Sequence, residues 1–210
     1  MIEIEKRALL NRQKFKILQN FFQKNGKFIK TFKRYTLLQI SREDFYPNKN
    51  AKTDIRVRTD GTEAKLTVKS GNWHSGESRQ EFEIHFDLVE IKDAVGMMLA
   101  LGKPYFVTVY FERWVYEYKK YEVSLDKYYF NDDYILEIEL KDNVSEEKIE
   151  KEEKLIYEML EEFEVEPLEA DGMVKFITKL NFVKECQADF SKTTIDEWYD
   201  KWKDYIHCKK

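Results

Sequence analysis

Apolar residues at every second position recur in several segments of the chain, and this alternation predicts β-strands. The segments are residues 2–7, 54–59, 63–69, 79–86, 106–115, 120–126 and 134–141. Apolar residues at helical spacing predict helices at residues 11–25, 88–101, 145–163, 173–182 and 193–206. Because most of the strands follow one another without a long helix between them, the pattern favours an antiparallel sheet with appended helices over a doubly wound parallel sheet.

The polar faces of these strands carry charges that are sorted by sign. Acidic pairs occur at Glu3 and Glu5, Glu81 and Glu83, and Glu137 and Glu139, and basic pairs occur at Arg56 and Arg58 and at Lys65 and Lys69. A solvated face gains nothing from like charges side by side. Paired carboxylates from different strands suit Mg²⁺ or Mn²⁺, and clustered Arg and Lys suit phosphate. The pattern leaves open whether the charged faces are solvated or turn inward to line a closed barrel.

Composition and charge narrow the class of protein. The 210 residues are 42% hydrophobic and 15% aromatic, which is enough to bury one sizeable core, and no linker rich in Gly or Pro divides them. The net charge is −4, so the chain lacks the overall basic excess that is expected of a non-specific nucleic-acid binder. No uncharged run reaches the roughly 18 residues that span a bilayer, and residues 1–7 lack the apolar stretch of a signal peptide. We therefore expect a cytoplasmic protein that does not bind membranes.

A series of short motifs resembles one known family. The motifs are Glu3-Ile4-Glu5-Lys6-Arg7, Arg56-Val57-Arg58, Leu66-Thr67-Val68-Lys69, Arg79-Gln80-Glu81-Phe82-Glu83, the strand around Arg113, Ser124-Leu125-Asp126 and Leu136-Glu137-Ile138-Glu139. Their order and approximate spacing resemble the CYTH domain over roughly residues 2–180. That family is named for class IV adenylyl cyclases and thiamine triphosphatases and belongs to the triphosphate tunnel metalloenzymes. The resemblance implies an α+β fold, an eight-stranded antiparallel β-barrel tunnel with flanking helices. Because no linker divides the chain, we expect a single CYTH-like tunnel domain over residues 1–210, with the helices after about residue 173 packed on it.

The resemblance also implies a role for each motif residue. Glu3, Glu5, Glu137 and Glu139 match metal-binding carboxylates for Mg²⁺ or Mn²⁺. Glu81, Glu83 and Asp126 match further acidic positions near a second metal ion or the attacking water, and with Glu5 they are the candidate catalytic residues. Arg7, Arg56, Arg58, Lys69, Arg113 and Lys175 match phosphate ligands. Arg7 stands where the family's first strand usually has Lys, so it can bind phosphate but cannot act as an acid or base.

The function that this resemblance implies is metal-dependent hydrolysis of a small triphosphate, either inorganic tripolyphosphate or an organic triphosphate, with release of orthophosphate. Three alternatives remain open. The chain could be a class IV adenylyl cyclase that makes cyclic AMP and pyrophosphate, an RNA 5′-triphosphatase, or a non-catalytic module that binds polyphosphate or a nucleotide. The acidic balance argues against nucleic-acid partners other than a triphosphate RNA end. Both a monomer and a homodimer are compatible with the sequence.

Overall fold

The computed structural model describes residues 4–46, 52–71, 80–140 and 146–209, with the side chains of residues 146–148 and 170 left out. The strands in these ranges are β1 (Ile4–Leu10), β2 (Lys27–Ile40), β3 (Thr53–Thr59), β4 (Glu63–Ser70), β5 (Gln80–Asp87), β6 (Tyr105–Tyr118), β7 (Tyr121–Tyr128), β8 (Tyr134–Leu140) and β9 (Gln187–Asp189). The α-helices are α1 (Arg12–Asn25), α2 (Ile91–Ala100), α3 (Glu146–Glu162), α4 (Ala170–Asn181) and α5 (Ile195–Ile206). None of the helices in these ranges is long and apolar enough to cross a bilayer.

The described strands form one antiparallel sheet, in which the spatial order of the strands differs from their order along the chain. They are hydrogen-bonded in the order β1-β8-β7-β6-β2-β3-β4-β5, and β9 pairs with β6. The pairs β1 with β8, β7 with β8, β2 with β3, β3 with β4 and β4 with β5 are all antiparallel. The predicted α+β fold with an eight-stranded antiparallel sheet and flanking helices is thus confirmed. The order is open in the described strands, with β1 and β5 at its ends, so the closure implied by the resemblance is not present there.

Strand β2 is the main element that the sequence pattern does not predict. Its first five residues are exposed on both faces, and residues 35–37 are buried in succession. Exposure therefore does not alternate along β2, and Phe28 and Ile29 are exposed neighbours. A strand of this kind has no period of two for a sequence pattern to detect. The predicted helices, by contrast, all exist with ends that differ by a few residues.

The chain forms two compact units. The first contains Met1–Phe32 and Glu112–Gly172, and the second contains Lys33–Phe111 and Met173–Lys210. The boundaries between the units fall inside β2 and β6. The expectation of a single domain over residues 1–210 stays a prediction.

The core of the first unit lies between two helices and the apolar faces of β1, β7 and β8. Helix α1 begins at Asn11, whose side chain accepts a hydrogen bond from the Lys14 amide at 2.8 Å. Residues on one face of α1 and α3 join apolar strand residues in a single cluster: Phe15, Leu18, Phe22, Ile156, Met159 and Leu160 with Ile4, Ala8, Val123, Leu125, Leu136 and Ile138. Because the helices cover this side of the strands, the acidic residues of β1, β7 and β8, together with Arg7, lie on the opposite side, whereas Lys6 lies on the helix side and contacts Glu153 of α3.

In the second unit, helix α5 is anchored on β2 and β6. Thr194 and Glu197 form a capping box at its start. The Trp198 indole donates a hydrogen bond to the Tyr35 hydroxyl at 3.1 Å, and that hydroxyl lies 3.1 Å from the Thr108 hydroxyl. Burial raises the pKa of Tyr35, so the phenol stays neutral and holds this contact. With Trp202 also buried, the two tryptophans of α5 pack in the core.

Candidate metal and phosphate sites

Strand register in the first unit brings three glutamates into one row. Glu5 lies directly opposite Glu139 in the pairing of β1 with β8, and Glu139 lies directly opposite Glu122 in the pairing of β8 with β7. Directly opposed residues place their side chains on the same face of a sheet. The side chains of this carboxylate row therefore lie on the charged face, with only oxygen atoms to offer a ligand. Such oxygens are the ligands that Mg²⁺ and Mn²⁺ prefer.

Next to the carboxylate row, five charged residues form a continuous ion-pair chain. Asp126 accepts two hydrogen bonds from Arg113, from Nε and Nη2, each at 2.7 Å. Arg113 Nη1 also donates to Glu137 Oε1 at 2.9 Å, and the other oxygen of Glu137 accepts from Arg7 Nε at 2.7 Å. Arg7 Nη2 lies 2.9 Å from Glu5 Oε1, which completes the chain. The predicted metal ligands Glu5 and Glu137 thus contact the predicted phosphate ligands Arg7 and Arg113.

The ion-pair chain is largely withdrawn from solvent. Only 2% of the Asp126 side chain and 7% of the Glu137 side chain are exposed, and 14% of the Arg113 side chain. Burial alone would raise the pKa of Glu137, but the Arg113 and Arg7 guanidiniums outweigh burial and hold this pKa well below its usual range. The charged face of the first unit is therefore not a solvated sheet surface. Burial and the Asp126 charge also raise the pKa of Tyr128, which adjoins the ion-pair chain.

The second unit has a charged face of its own on β3, β4 and β5. Lys69 Nζ lies 2.9 Å from Glu81 Oε2, and Lys65 Nζ lies 2.9 Å from Glu83 Oε1. The Thr67 hydroxyl donates a further hydrogen bond to Glu83 at 3.0 Å. Burial alone would raise the pKa of Glu83, but the contacts with Lys65 and Thr67 outweigh burial, so the pKa of Glu83 is below its ordinary value. Both predicted catalytic glutamates of this unit are held by a lysine of the neighbouring strand.

Arginines crowd together beside these pairs. Arg56 Nε donates to the buried Asp54 carboxylate at 2.8 Å, whereas Arg58 makes no hydrogen bond or ion pair with any residue that the structure describes. Burial and then the charges of Arg56 and Arg34 lower the pKa of Arg58 to about 9. Arg58 is still protonated at pH 7. A half-buried guanidinium beside two others is the arrangement that a bound anion stabilises.

Sequence reasoning missed Arg34 and Glu122 as site residues. Thr36 lies directly opposite Arg58 in the pairing of β2 with β3, so Arg34, two positions along β2, shares the face of Arg58. No sequence signal identifies Arg34, because β2 lacks the alternation that would assign it a face. Glu122 had a signal, since it precedes Ser124 and Asp126 at intervals of two. Its place in the carboxylate row depends on strand register.

Lys175 and Glu3 remain predicted site residues. Lys175 is exposed on α4 between the buried residues Val174 and Phe176, and its role as a phosphate ligand stays a prediction. Glu3 lies outside the described residues. Within the described ranges, no three His, Cys, Asp or Glu side chains are already grouped to hold a metal ion. The carboxylate row has the ligand chemistry for a divalent cation, but its side chains must converge to bind one.

The family model for the CYTH domain matches residues 1–169, so the chain belongs to the CYTH-domain family. A comparison with curated proteins finds no match. Among solved structures, the PH1012 protein from Pyrococcus horikoshii OT3 is 18% identical with a TM-score of 0.58, and the alignment covers 79% of this chain and 92% of that one.

Two further similar structures are described as candidate cyclases. The one from Vibrio parahaemolyticus is 11% identical with a TM-score of 0.56, and the alignment covers 79% of this chain and 90% of that one. HpAC1 from Hippeastrum, described as having a dominant triphosphatase activity, is 18% identical with a TM-score of 0.53, with coverage of 83% and 92%. At such identities these likenesses show the fold alone.

Proposed function

We propose that this protein is a divalent-metal-dependent hydrolase that releases orthophosphate from inorganic tripolyphosphate or an organic triphosphate. The observation that carries the proposal is Arg58, a half-buried guanidinium without a hydrogen-bonded counter-ion among the described residues and with Arg56 and Arg34 nearby. Crowded positive charge is unfavourable without an anion to compensate it. It becomes favourable when several phosphate oxygens bind, because guanidiniums pair with phosphate through two parallel hydrogen bonds.

The metal ion is proposed to bind at the carboxylate row of Glu5, Glu139 and Glu122, with Glu137, two positions from Glu139 on the same face of β8, as a further ligand. A bound Mg²⁺ or Mn²⁺ would neutralise charge that develops on phosphoryl oxygens. Asp126 accepts from Arg113 with both of its oxygens, so in this proposal Asp126 positions Arg113 rather than acting as a free base. Arg113 in turn presents a rigid, permanently charged group beside the carboxylate row.

The binding part of the proposal predicts that tripolyphosphate protects the protein against heat. At a hundredfold excess over its dissociation constant, the ligand should stabilise the fold by about 2.7 kcal/mol. Arg58→Ala should remove most of this shift, because it deletes the guanidinium whose burial and neighbours favour an anion most strongly. Differential scanning fluorimetry at several tripolyphosphate concentrations measures the effect.

Arg12→Ala is the matched control, since Arg12 is exposed at the start of α1 and takes no part in either charged face. It should leave the tripolyphosphate shift unchanged. Equal small losses in both variants would mean that the anion interacts only with surface charge, and the phosphate assignment would then fail. The cytoplasmic location and the choice between monomer and homodimer stay predictions.

A further inference from the structure

Arg7 joins two carboxylates that the proposed metal site involves. Its Nη2 lies 2.9 Å from Glu5 Oε1, and its Nε lies 2.7 Å from Glu137 Oε2. The strand register places Arg7 directly opposite Glu137 and two positions from Glu5 on the same face of β1. The backbone at this point is also fixed, because the Arg7 carbonyl accepts a hydrogen bond from the Leu168 amide at 2.6 Å. Both contacts therefore follow from the way β1 is held.

These contacts compete with a metal ion. The other oxygen of Glu137 accepts from Arg113 at 2.9 Å, so both of its oxygens are already engaged. A divalent cation that approached Glu5 or Glu137 would meet the positive charge of Arg7 at close range. An arginine cannot relieve this repulsion by losing its proton. The guanidinium must move if either carboxylate is to serve a metal ion fully.

A phosphate group offers Arg7 an alternative partner. Phosphate and carboxylate both accept the two parallel hydrogen bonds of a guanidinium, so exchanging one for the other keeps the same bonding geometry. Lysine is a compact point charge and lacks the guanidinium fork, the pair of parallel N–H donors that makes these two hydrogen bonds. Because Arg7 can exchange a carboxylate for a phosphate, it can link the binding of the metal ion to the binding of the phosphate group.

We propose that Arg7 couples the binding of the divalent metal ion to that of the triphosphate: a phosphate group draws Arg7 away from Glu5 and Glu137, and these carboxylates then bind the metal ion. This inference rests on the proposed function, since it takes that function's two ligands. Coupling between two binding sites is reciprocal, so the metal ion tightens anion binding by the same factor. Each ligand alone binds weakly, and both together bind tightly.

The test is the affinity of the full chain for Mn²⁺, measured by electron paramagnetic resonance of the free ion. Without an added anion, Arg7→Gln should bind Mn²⁺ about tenfold more tightly than the wild-type protein, a factor within the usual range of coupling. Inorganic sulfate, a dianion shaped like a terminal phosphoryl group, should tighten Mn²⁺ binding by the wild-type protein relative to chloride at equal ionic strength. It should have little effect on Arg7→Gln.

Arg12→Gln is the control for loss of one positive charge in the same unit, and it should behave as the wild-type protein does in both measurements. Arg7→Lys keeps the charge but not the fork, and it should give an intermediate Mn²⁺ affinity even if Arg7→Gln does not fold. Mn²⁺ affinity that is unchanged or weaker in the Arg7 variants, or a wild-type affinity that ignores sulfate, would overturn the proposal. Tighter Mn²⁺ binding by Arg7→Gln together with no hydrolysis of any triphosphate would instead support the coupling and refute the proposed function.

Discussion

Replacing Glu139 by Gln is expected to lower Mg²⁺- or Mn²⁺-dependent release of orthophosphate by at least about a hundredfold, the cost typical of removing one electrostatic group from an active site. Glu139 lies between Glu5 and Glu122 in the carboxylate row, so it can share a metal ion with either neighbour. Glutamine keeps the shape of the side chain but removes the negative charge that attracts the cation. Steady-state rates at several metal concentrations measure the loss, and circular dichroism shows that the variant is folded.

The matched control for this experiment is Glu162→Gln. Glu162 is exposed at the end of α3, where it pairs with Lys119 at 3.3 Å, and it begins another Glu-x-Glu sequence. Its replacement should leave the rate within experimental error of the wild-type value. If Glu139→Gln turns over at a near-normal rate, the carboxylate row does not hold the metal ion.

Glu137→Gln is expected to have its largest effect on stability. The buried Glu137 carboxylate compensates two guanidiniums, and removing one partner of a buried ion pair typically costs about 3 to 5 kcal/mol. We expect a loss near the lower end, about 3 kcal/mol, because Arg113 keeps Asp126 and Arg7 keeps Glu5. Urea unfolding at pH 7 measures this loss in the free energy of unfolding, and Glu162→Gln should change it by less than about 0.5 kcal/mol.

The pH dependence of that loss has a definite sign. The pKa of Glu137 is lowered in the folded protein, whereas in the unfolded chain it is near the ordinary value of about 4.3. The ion pairs therefore contribute their full stabilisation above about pH 4.3, and the contribution falls as the pH drops further towards the folded-state pKa. The difference between wild type and Glu137→Gln should be constant from pH 7 to pH 5 and smaller at pH 3. A difference that grows on acidification would contradict this assignment.

The sequence predicts the fold class and much of the candidate site because both depend on a period of two along single strands. Glu5, Arg58 and Glu137 each belong to a short motif with alternating apolar neighbours, and the structure places all three on charged faces. The contacts between these residues cannot be predicted from this period of two. That Arg7 lies opposite Glu137 is a property of the register between β1 and β8, which are far apart in the chain, so no turn between them fixes this register in the sequence.

Arg34 illustrates the other limit of sequence reasoning. Its strand, β2, is exposed along its first part and buried on successive residues in its second part, so contacts with other elements, and not a local alternation, determine its structure. The hydrogen bond from Trp198 to Tyr35 fixes this strand through a helix residue that is 163 positions away in the sequence. No local signal could identify Arg34 as a neighbour of Arg58.

The measurement that tests the central claim most directly is product analysis with four substrates. Tripolyphosphate, thiamine triphosphate, ATP and triphosphate-ended RNA are incubated with the protein in Mg²⁺ or Mn²⁺ and, in parallel, with a chelator. The proposed function predicts orthophosphate from tripolyphosphate or one of the organic triphosphates, and none with the chelator. Cyclic AMP and pyrophosphate from ATP would identify a cyclase instead. No product from any substrate, despite thermal stabilisation by tripolyphosphate, would identify a binding module and contradict the assignment as a hydrolase.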